Sequence, residues 1–404
     1  MSSFSSWIAG RRRRARPELR TAEGAQSLRV LYLFPEAYIN APWAVVNMIL
    51  QHAAGNGIEP LVVFGNHTGG PVDFAGMDIP VLRMEFQKRS RGSTVRELRE
   101  LVFAREIDLI HVVDSGPSLI FGTLLSLASR TPLVIHFHSI PRLWSPKKRI
   151  VLKAISNVAG AIVGVSEFVR TGIEQYIGIR PSLLTCVPNG VDVSRFTPEV
   201  DGTAMRRALG FKEGSIAVIE PARFWLLKGQ KDLVRAAAIA RKQNPAIEVA
   251  LIGWDDTTNT AAGYRSEIEE LIASLGLKDV VRCYEPSARA QEIHAAADIV
   301  CLPSIDEPFG LVAIEAQASG RAFLGAASGA LTEIVEDGVD GVLAAPNAPE
   351  KLAEALVRLA ADAPLRAALG ARGRVRACRD FDKALLAKRF VAIYRAVLAG
   401  SALP

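Results

Sequence analysis

Short apolar runs alternate along the chain with segments in which apolar residues recur at helical spacing. The apolar runs predict buried strands, which cover residues 30–34, 61–64, 109–113, 133–137, 161–165, 215–219, 249–253, 280–283 and 299–302. The helical patterns cover residues 44–54, 94–104, 264–275, 288–297, 311–318, 348–359 and 383–398. Strands separated by helices are typical of parallel βαβ units, so the sequence predicts an α/β fold with two Rossmann-like halves.

The chain of 404 residues is long enough for two domains, each with its own core. Pro188, Asn189 and Gly190 favour a turn, and a new series of strands begins beyond them. We therefore predict four parts of the chain. They are a basic tail over 1–27, an N-terminal domain over 28–198, a C-terminal domain over 199–380 and a final helical segment over 381–404.

Composition and charge narrow the class of protein. With 49% hydrophobic and 22% charged residues, the chain has the balance of a soluble globular protein. The apolar window 115–129 is too short to span a bilayer, and the first 27 residues lack the apolar region of a secretory signal. The sequence thus predicts no transmembrane helix and a cytoplasmic location.

Two basic segments leave membrane contact open. The tail carries Arg11–Arg14, and a net charge of +6 arises partly there. Residues 142–153 form a second cluster, beside Trp144, Ile150 and Leu152. Each segment is interpreted either as a solvated surface or as a peripheral contact with anionic lipid at the inner face of the membrane. Nucleic-acid binding has no supporting module.

The densest group of local signals lies at residues 304–320. An apolar strand ends before Pro303, a polar loop follows, and a helix begins near Leu311. Loops at the carboxyl ends of strands are where open α/β sheets bind ligands, and a helix N-terminus attracts anions. Glu307 and Glu315 frame this turn, and their spacing alone also fits two solvated carboxylates.

Glu307, Phe309, Gly310 and Glu315 resemble the E-x7-E signature of retaining GT-B glycosyltransferases of the family 4 type, the glycosyl transferases group 1. Further segments resemble the same family, namely the P-N-G-V-D run at 188–192, Arg223 with Lys228 and Gly229, and the glycine-then-E-I-V run at 329–335. Two segments depart from its pattern. No glycine stands between Gly24 and Gly55, where relatives carry a double-glycine loop, and Ala222 stands where they have glycine.

The resemblance implies two Rossmann-like domains facing a cleft, with the donor in the C-terminal domain and the final helix crossing back to the N-terminal one. It implies transfer of a sugar from a nucleotide diphosphate sugar to a glycan or lipid-linked acceptor. Arg223 and Lys228 would bind the diphosphate together with the segment of Phe309, Gly310 and Leu311. Glu315 would hold the ribose, and Glu307 would act at the donor sugar as a catalytic residue.

Three histidines lie in or directly after predicted strands of the first half. His138, at the end of the strand over 133–137, resembles the histidine that the family places against the donor sugar, so it is the second predicted catalytic residue. We interpret His136 as a packing residue and His111 as a satisfied core residue.

No metal or cofactor is expected beyond the sugar nucleotide itself. The D-x-D sequence from Asp380 to Asp382 precedes the final helix, and both aspartates are interpreted as helix-start residues. Two other functions remain open. One is a sugar-nucleotide epimerase of the same fold, and the other is a catalytically silent sugar-nucleotide-binding protein.

Overall fold

The computed structural model describes residues 27–34, 41–65, 74, 77–86, 90–113, 116–255 and 263–404. Two predicted segments lie outside these residues. One is the basic tail apart from its last residue, and the other is the segment after the first strand, where relatives carry two glycines. Within the described ranges, no helix has the length and apolar character needed to cross a membrane.

The chain divides into two units. One unit contains Met1–Pro188 with Ala384–Pro404, and the other contains Asn189–Lys383. The division thus falls before residue 198, the boundary predicted from the sequence.

The first unit is built on a parallel sheet of seven strands in the order β3-β2-β1-β4-β5-β6-β7. The strands are β1 (Leu28–Phe34), β2 (Ile58–Phe64), β3 (Val81–Arg83), β4 (Leu109–Val113), β5 (Leu133–Phe137), β6 (Ala161–Gly164) and β7 (Leu184–Cys186). Strands β4 and β5 are buried along their whole length, as expected for parallel strands covered on both faces.

Helices connect these strands. They are α1 (Ala41–Gln51), α2 (Arg91–Ala104), α3 (Gly116–Ser129), α4 (Pro146–Ser156) and α5 (Glu167–Ile177). Serine side chains cap three of them, because Ser90, Ser145 and Ser166 each accept a hydrogen bond from the backbone three residues later. The caps therefore define where α2, α4 and α5 begin.

The second unit repeats the arrangement with six parallel strands in the order β10-β9-β8-β11-β12-β13. Its strands are β8 (Ile216–Pro221), β9 (Ile247–Ile252), β10 (Val281–Tyr284), β11 (Ile299–Leu302), β12 (Ala322–Ala326) and β13 (Val342–Ala344). Its helices are α6 (Thr203–Ala208), α7 (Gln230–Ala240), α8 (Tyr264–Ser274), α9 (Ala290–Ala296), α10 (Leu311–Ala318), α11 (Leu331–Ile334), α12 (Pro349–Ala361) and α13 (Ala363–Asp380). The strand order reverses between β8 and β11, and ligands bind at such a reversal.

The last helix, α14 (Lys383–Ala399), packs on the first unit. Its Phe390 ring lies 4.7 Å from the ring of His136, and its Tyr394 hydroxyl lies 2.6 Å from Nδ1 of His111. Asp380 is the last residue of α13, so its interpretation as a helix-start residue is wrong. Asp382 does precede α14 directly.

Candidate active site

The stretch from β11 to α10 forms the strand, loop and helix that the sequence predicts. Strand β11 is buried throughout, and Pro303 follows it. Gly310 stands at the N-cap of α10 with φ 102°, a conformation that favours glycine. The first amides of α10 have no acceptor within the helix, so this N-terminus can receive an anion.

A second segment fixes the loop before α10 in place. Asp306 has a positive φ of 52°, and its backbone N–H donates to the Ser328 hydroxyl at 2.8 Å. The carbonyl of Glu307 accepts from the N–H of Ala330 at 2.9 Å. A Cβ on Gly329 would lie 2.5 Å from the Glu307 backbone, so only glycine fits there. The turn at 328–330 therefore positions Glu307.

The β8–α7 loop brings Lys228 to Glu307. The N–H of Ile305 donates to the carbonyl of Leu227 at 2.8 Å, and a Cβ on Gly229 would lie 2.3 Å from the Pro303 carbonyl oxygen. This close backbone approach places Lys228 Nζ 2.7 Å from Glu307 Oε2. The two side chains are 17% and 9% exposed, so they form a largely buried ion pair.

Arg223 lies in the same β8–α7 loop. Its guanidinium stands 4.4 Å from the centre of the Trp225 ring, and its carbonyl accepts from Gln230 Nε2 at 3.0 Å. The backbone of Ala222, which stands where relatives have glycine, is approached closely by Gly253. A Cβ on Gly253 would lie 2.1 Å from the Ala222 carbonyl oxygen.

Glu315 is held by a histidine that the sequence analysis did not single out. Its carboxylate accepts a hydrogen bond from Nε2 of the buried His294 at 3.2 Å, since an ionised carboxylate can only accept. The His294 ring in turn contacts the ring of Phe196 edge-on at 5.5 Å. His294 therefore carries its hydrogen on Nε2 and orients Glu315 from α9.

Phe309 and Leu311 flank Gly310 at the start of α10. Phe309 is buried, and its ring meets that of Phe381 edge-on at 6.0 Å. Its side chain is thus part of the packing that holds the loop, while the backbone of the segment provides the helix N-terminus. Leu311 is half-buried.

The three histidines of the first unit form one group, in which His111 and His136 are buried and His138 is half-buried. His138 Nε2 lies 3.4 Å from His136 Nδ1, and the rings of His111 and His136 are in T-shaped contact at 5.5 Å. His136 does pack against its neighbours, but it also contacts the predicted catalytic residue. His111 is only partly satisfied, because its Nε2 has no partner among the described residues.

In the second unit the predicted residues occupy two loops and the helix α10, which contains Leu311 and Glu315. A cation, Lys228, and a helix N-terminus stand beside the carboxylate of Glu307 at the carboxyl ends of β8 and β11. Such a group can stabilise a polyanion and can orient hydroxyl groups. Across the described parts of the chain, no set of three or more His, Cys, Asp or Glu side chains has the arrangement of a metal site.

Two family models match the chain. The model of glycosyl transferases group 1 matches residues 201–376, and the model of glycosyltransferase family 4 matches residues 44–195. The two matches together run through most of both units. The chain belongs to the group 1 glycosyltransferases.

Curated relatives match this group 1 glycosyltransferase over part of its sequence. A D-inositol 3-phosphate glycosyltransferase of Thermobifida fusca is 33% identical over 261 residues, which is 60% of this chain and 59% of that protein. The protein of the same name from Actinosynnema mirum is 39% identical over 193 residues, covering 47% and 46%. The matches thus span about half the length of these relatives.

Solved structures share its GT-B fold. Anabaena HepE in complex with UDP has a TM-score of 0.77 and 25% identity, covering 90% of this chain and 98% of HepE. A glycosyltransferase of Rickettsia africae has a TM-score of 0.80 and 18% identity, covering 93% and 100%. The two parallel sheets described above agree with these neighbours, so the predicted fold class is confirmed.

Proposed function

We propose that the protein is a retaining glycosyltransferase that moves a sugar from a nucleotide diphosphate sugar to a glycan or lipid-linked acceptor. The observation that carries the proposal is the Lys228–Glu307 ion pair beside the N-terminus of α10. It is supported by the family membership and by HepE, which has been crystallised with UDP-glucose.

In this proposal the departing nucleoside diphosphate is stabilised by groups already in place. Lys228 has three donors, and one of them reaches Glu307, which leaves two for phosphate oxygens. Arg223 adds a planar cation, and the amides around Gly310 add the positive end of α10. Pre-placed charges of this kind lower the barrier most where charge develops in the transition state.

The carboxylates act on the other two parts of the donor. Glu315, oriented by His294, accepts hydrogen bonds from the ribose hydroxyls. Glu307 lies beside the sugar, where it orients hydroxyls and balances the positive charge of the ring as the leaving group departs. His138, in the first unit, contacts the donor sugar.

The test is incubation of the protein with a panel of UDP- and GDP-sugars in the presence of EDTA, with and without a lipid or glycan extract. We expect nucleoside diphosphate release that depends on extract and falls by about 10²-fold or more in Glu307→Gln. Glu354→Gln is the matched control, since its pair with Lys351 is 64% and 60% exposed. Retention is read from the anomeric configuration of the product.

Each alternative predicts a different outcome of the same experiment. An epimerase would convert the donor without extract, and a silent binding protein would bind a donor without releasing its diphosphate. Release only when a divalent ion replaces EDTA would contradict metal-independent transfer.

We also propose that α4 rests on an anionic membrane. Trp144 and Leu152 are buried and face the core, so they do not form the apolar surface suggested by the sequence. That surface consists of Leu143, Ile150 and Val151, which are exposed beside Arg142, Lys147 and Lys153. Exposed aliphatic side chains among cations suit an interface of acyl chains and anionic headgroups.

Ile150→Asp is expected to weaken binding to vesicles that contain phosphatidylglycerol by about tenfold, because Ile150 is 71% exposed and would lose its apolar contact with lipid. Val375→Asp is the control, because Val375 is an aliphatic residue of α13 with a similar exposure of 65%. Equal binding by both variants in a vesicle sedimentation assay would refute the contact.

A further inference from the structure

Five polar side chains form a continuous column in the first unit, and four of them are fully buried. Tyr32 Oη lies 3.2 Å from Tyr394 Oη, which lies 2.6 Å from His111 Nδ1. The His111 ring contacts the His136 ring, and His136 Nδ1 lies 3.4 Å from His138 Nε2. The column joins α14 to strands β1, β4 and β5, and it ends at the predicted catalytic histidine.

No member of this column is expected to carry a positive charge. Burial lowers the pKa of His111 to about 3, with a smaller contribution from His138, and burial holds the pKa of His136 well below 6.5. Burial also lowers the pKa of His138, although part of that side chain stays accessible to solvent. All three rings are therefore neutral, and each has one protonated and one bare nitrogen.

The contact between His136 Nδ1 and His138 Nε2 then needs one hydrogen, which is carried by one of these two nitrogens. If His138 Nε2 donated, the hydrogen of His136 would have to sit on its Nε2, a buried nitrogen with no partner among the described residues. If His136 Nδ1 donates, the buried Nε2 of His136 carries no hydrogen and has only an unused lone pair. An unpaired buried N–H is the rarer and more costly arrangement, so donation by His136 is favoured.

We propose that His136 is a positioning residue that fixes His138 as the neutral tautomer with its hydrogen on Nδ1. His138 then presents a hydrogen-bond donor, and the ligand class it takes is an oxygen with a free lone pair. That this oxygen belongs to a sugar hydroxyl rests on the proposed function, whereas the tautomer itself does not.

The direct test is the ¹⁵N–¹H spectrum of the histidine rings, recorded between pH 5 and 8 without substrate. In the native protein we expect the His138 pattern of hydrogen on Nδ1, unchanged across this range. His136→Asn places an amide donor near the position of Nδ1 and is expected to keep the pattern. His136→Gln places its amide near the position of Nε2, so it is expected to release His138 toward the Nε2–H form that free histidine favours.

Turnover supplies the second readout. His136→Gln is expected to lower kcat by about 10- to 100-fold with little change in KM, because His138 would be misaligned in the transition state. His136→Asn should recover most of this loss. His52→Gln, at a histidine outside the column, is the control for the substitution itself.

Hydrogen on Nε2 of His138 in the native protein would overturn the proposal, as would equal His138 spectra in the Asn and Gln variants. These spectra do not depend on catalysis. If no nucleotide sugar is turned over, the proposed function fails while the tautomer is still decided.

Discussion

Lys228→Ala is expected to lower the free energy of unfolding by about 3 kcal/mol, because it leaves the Glu307 carboxylate largely buried without its cation. This is the lower end of the range for breaking a buried pair, since 17% of the Lys228 side chain is exposed. The same change removes a cation from the leaving-group site. We therefore expect turnover to fall by about 10²- to 10³-fold as well.

A pair of variants separates the two effects. Lys228→Met with Glu307→Gln removes both charges, so it should regain most of the lost stability while remaining inactive. Lys351→Ala breaks an exposed pair and should cost less than about 1 kcal/mol. Chemical denaturation measures the stabilities, and diphosphate release measures turnover. If Lys228→Ala lowers the free energy of unfolding no more than Lys351→Ala does, the Lys228–Glu307 pair does not have the strength inferred from its burial.

Some elements of the fold could be predicted from the sequence with their correct ends. Strands β4, β5 and β11 and helix α10 occupy the ranges that were predicted, because each is a dense apolar segment directly preceded by an aspartate, a proline or a glycine. The pattern of local hydrophobicity is sufficient where burial is complete and the flanking residues stop the element.

Other elements were missed for physical reasons. Strand β12 has the sequence A-F-L-G-A, and alanine and glycine have low strand propensity; its burial comes from its place in the sheet. Helix α13 contains two glycines, which weaken a helical pattern. The structure gives the reason for one of them, because a Cβ on Gly370 would lie 2.1 Å from the carbonyl oxygen of Gly320.

The predicted site residues came from a resemblance of short motifs, and their interactions came only from the structure. The Lys228–Glu307 pair joins residues 79 positions apart, and the His294–Glu315 contact joins residues 21 apart. Neither pairing has a local pattern. The first depends on how two strand ends are placed in the sheet, and the second on how helices α9 and α10 pack together. Gly329 belongs to a motif found in the sequence, but its role in holding the Glu307 loop, and that of Ser328, came only from the structure.

Glu220 is a buried carboxyl group that the sequence shows only as a glutamate within an apolar strand. It lies in β8, it is fully buried, and neither carboxylate oxygen has a hydrogen-bond partner in the described structure. Burial raises its pKa well above the usual 4.5, and the charge of Lys228 opposes this only in part. The folded protein therefore binds the Glu220 proton more tightly than the unfolded chain does.

Glu220→Gln is expected to make the protein more stable than the native sequence at pH 8, and the two should be similar near pH 4. A carboxyl group with a raised folded-state pKa contributes to the stability of the folded protein. That contribution is complete below about pH 4.5 and is lost as pH rises toward the folded-state pKa. Between these two pH values the free energy of unfolding of the native protein should fall by about 1.4 kcal/mol per pH unit relative to that of the variant. The neutral amide of the variant has no proton to lose. Denaturation curves between pH 4 and 9 measure the difference.

Glu248→Gln on the neighbouring strand β9 is the matched control. Glu248 is also buried, but its carboxylate lies 3.4 Å from the Arg282 guanidinium, so its neutralisation should destabilise the protein. The two substitutions are thus expected to have opposite signs at pH 8, although both replace a buried glutamate in adjacent strands of one sheet. A stability difference for Glu220→Gln that does not change with pH would mean that this carboxyl has a partner that keeps it charged.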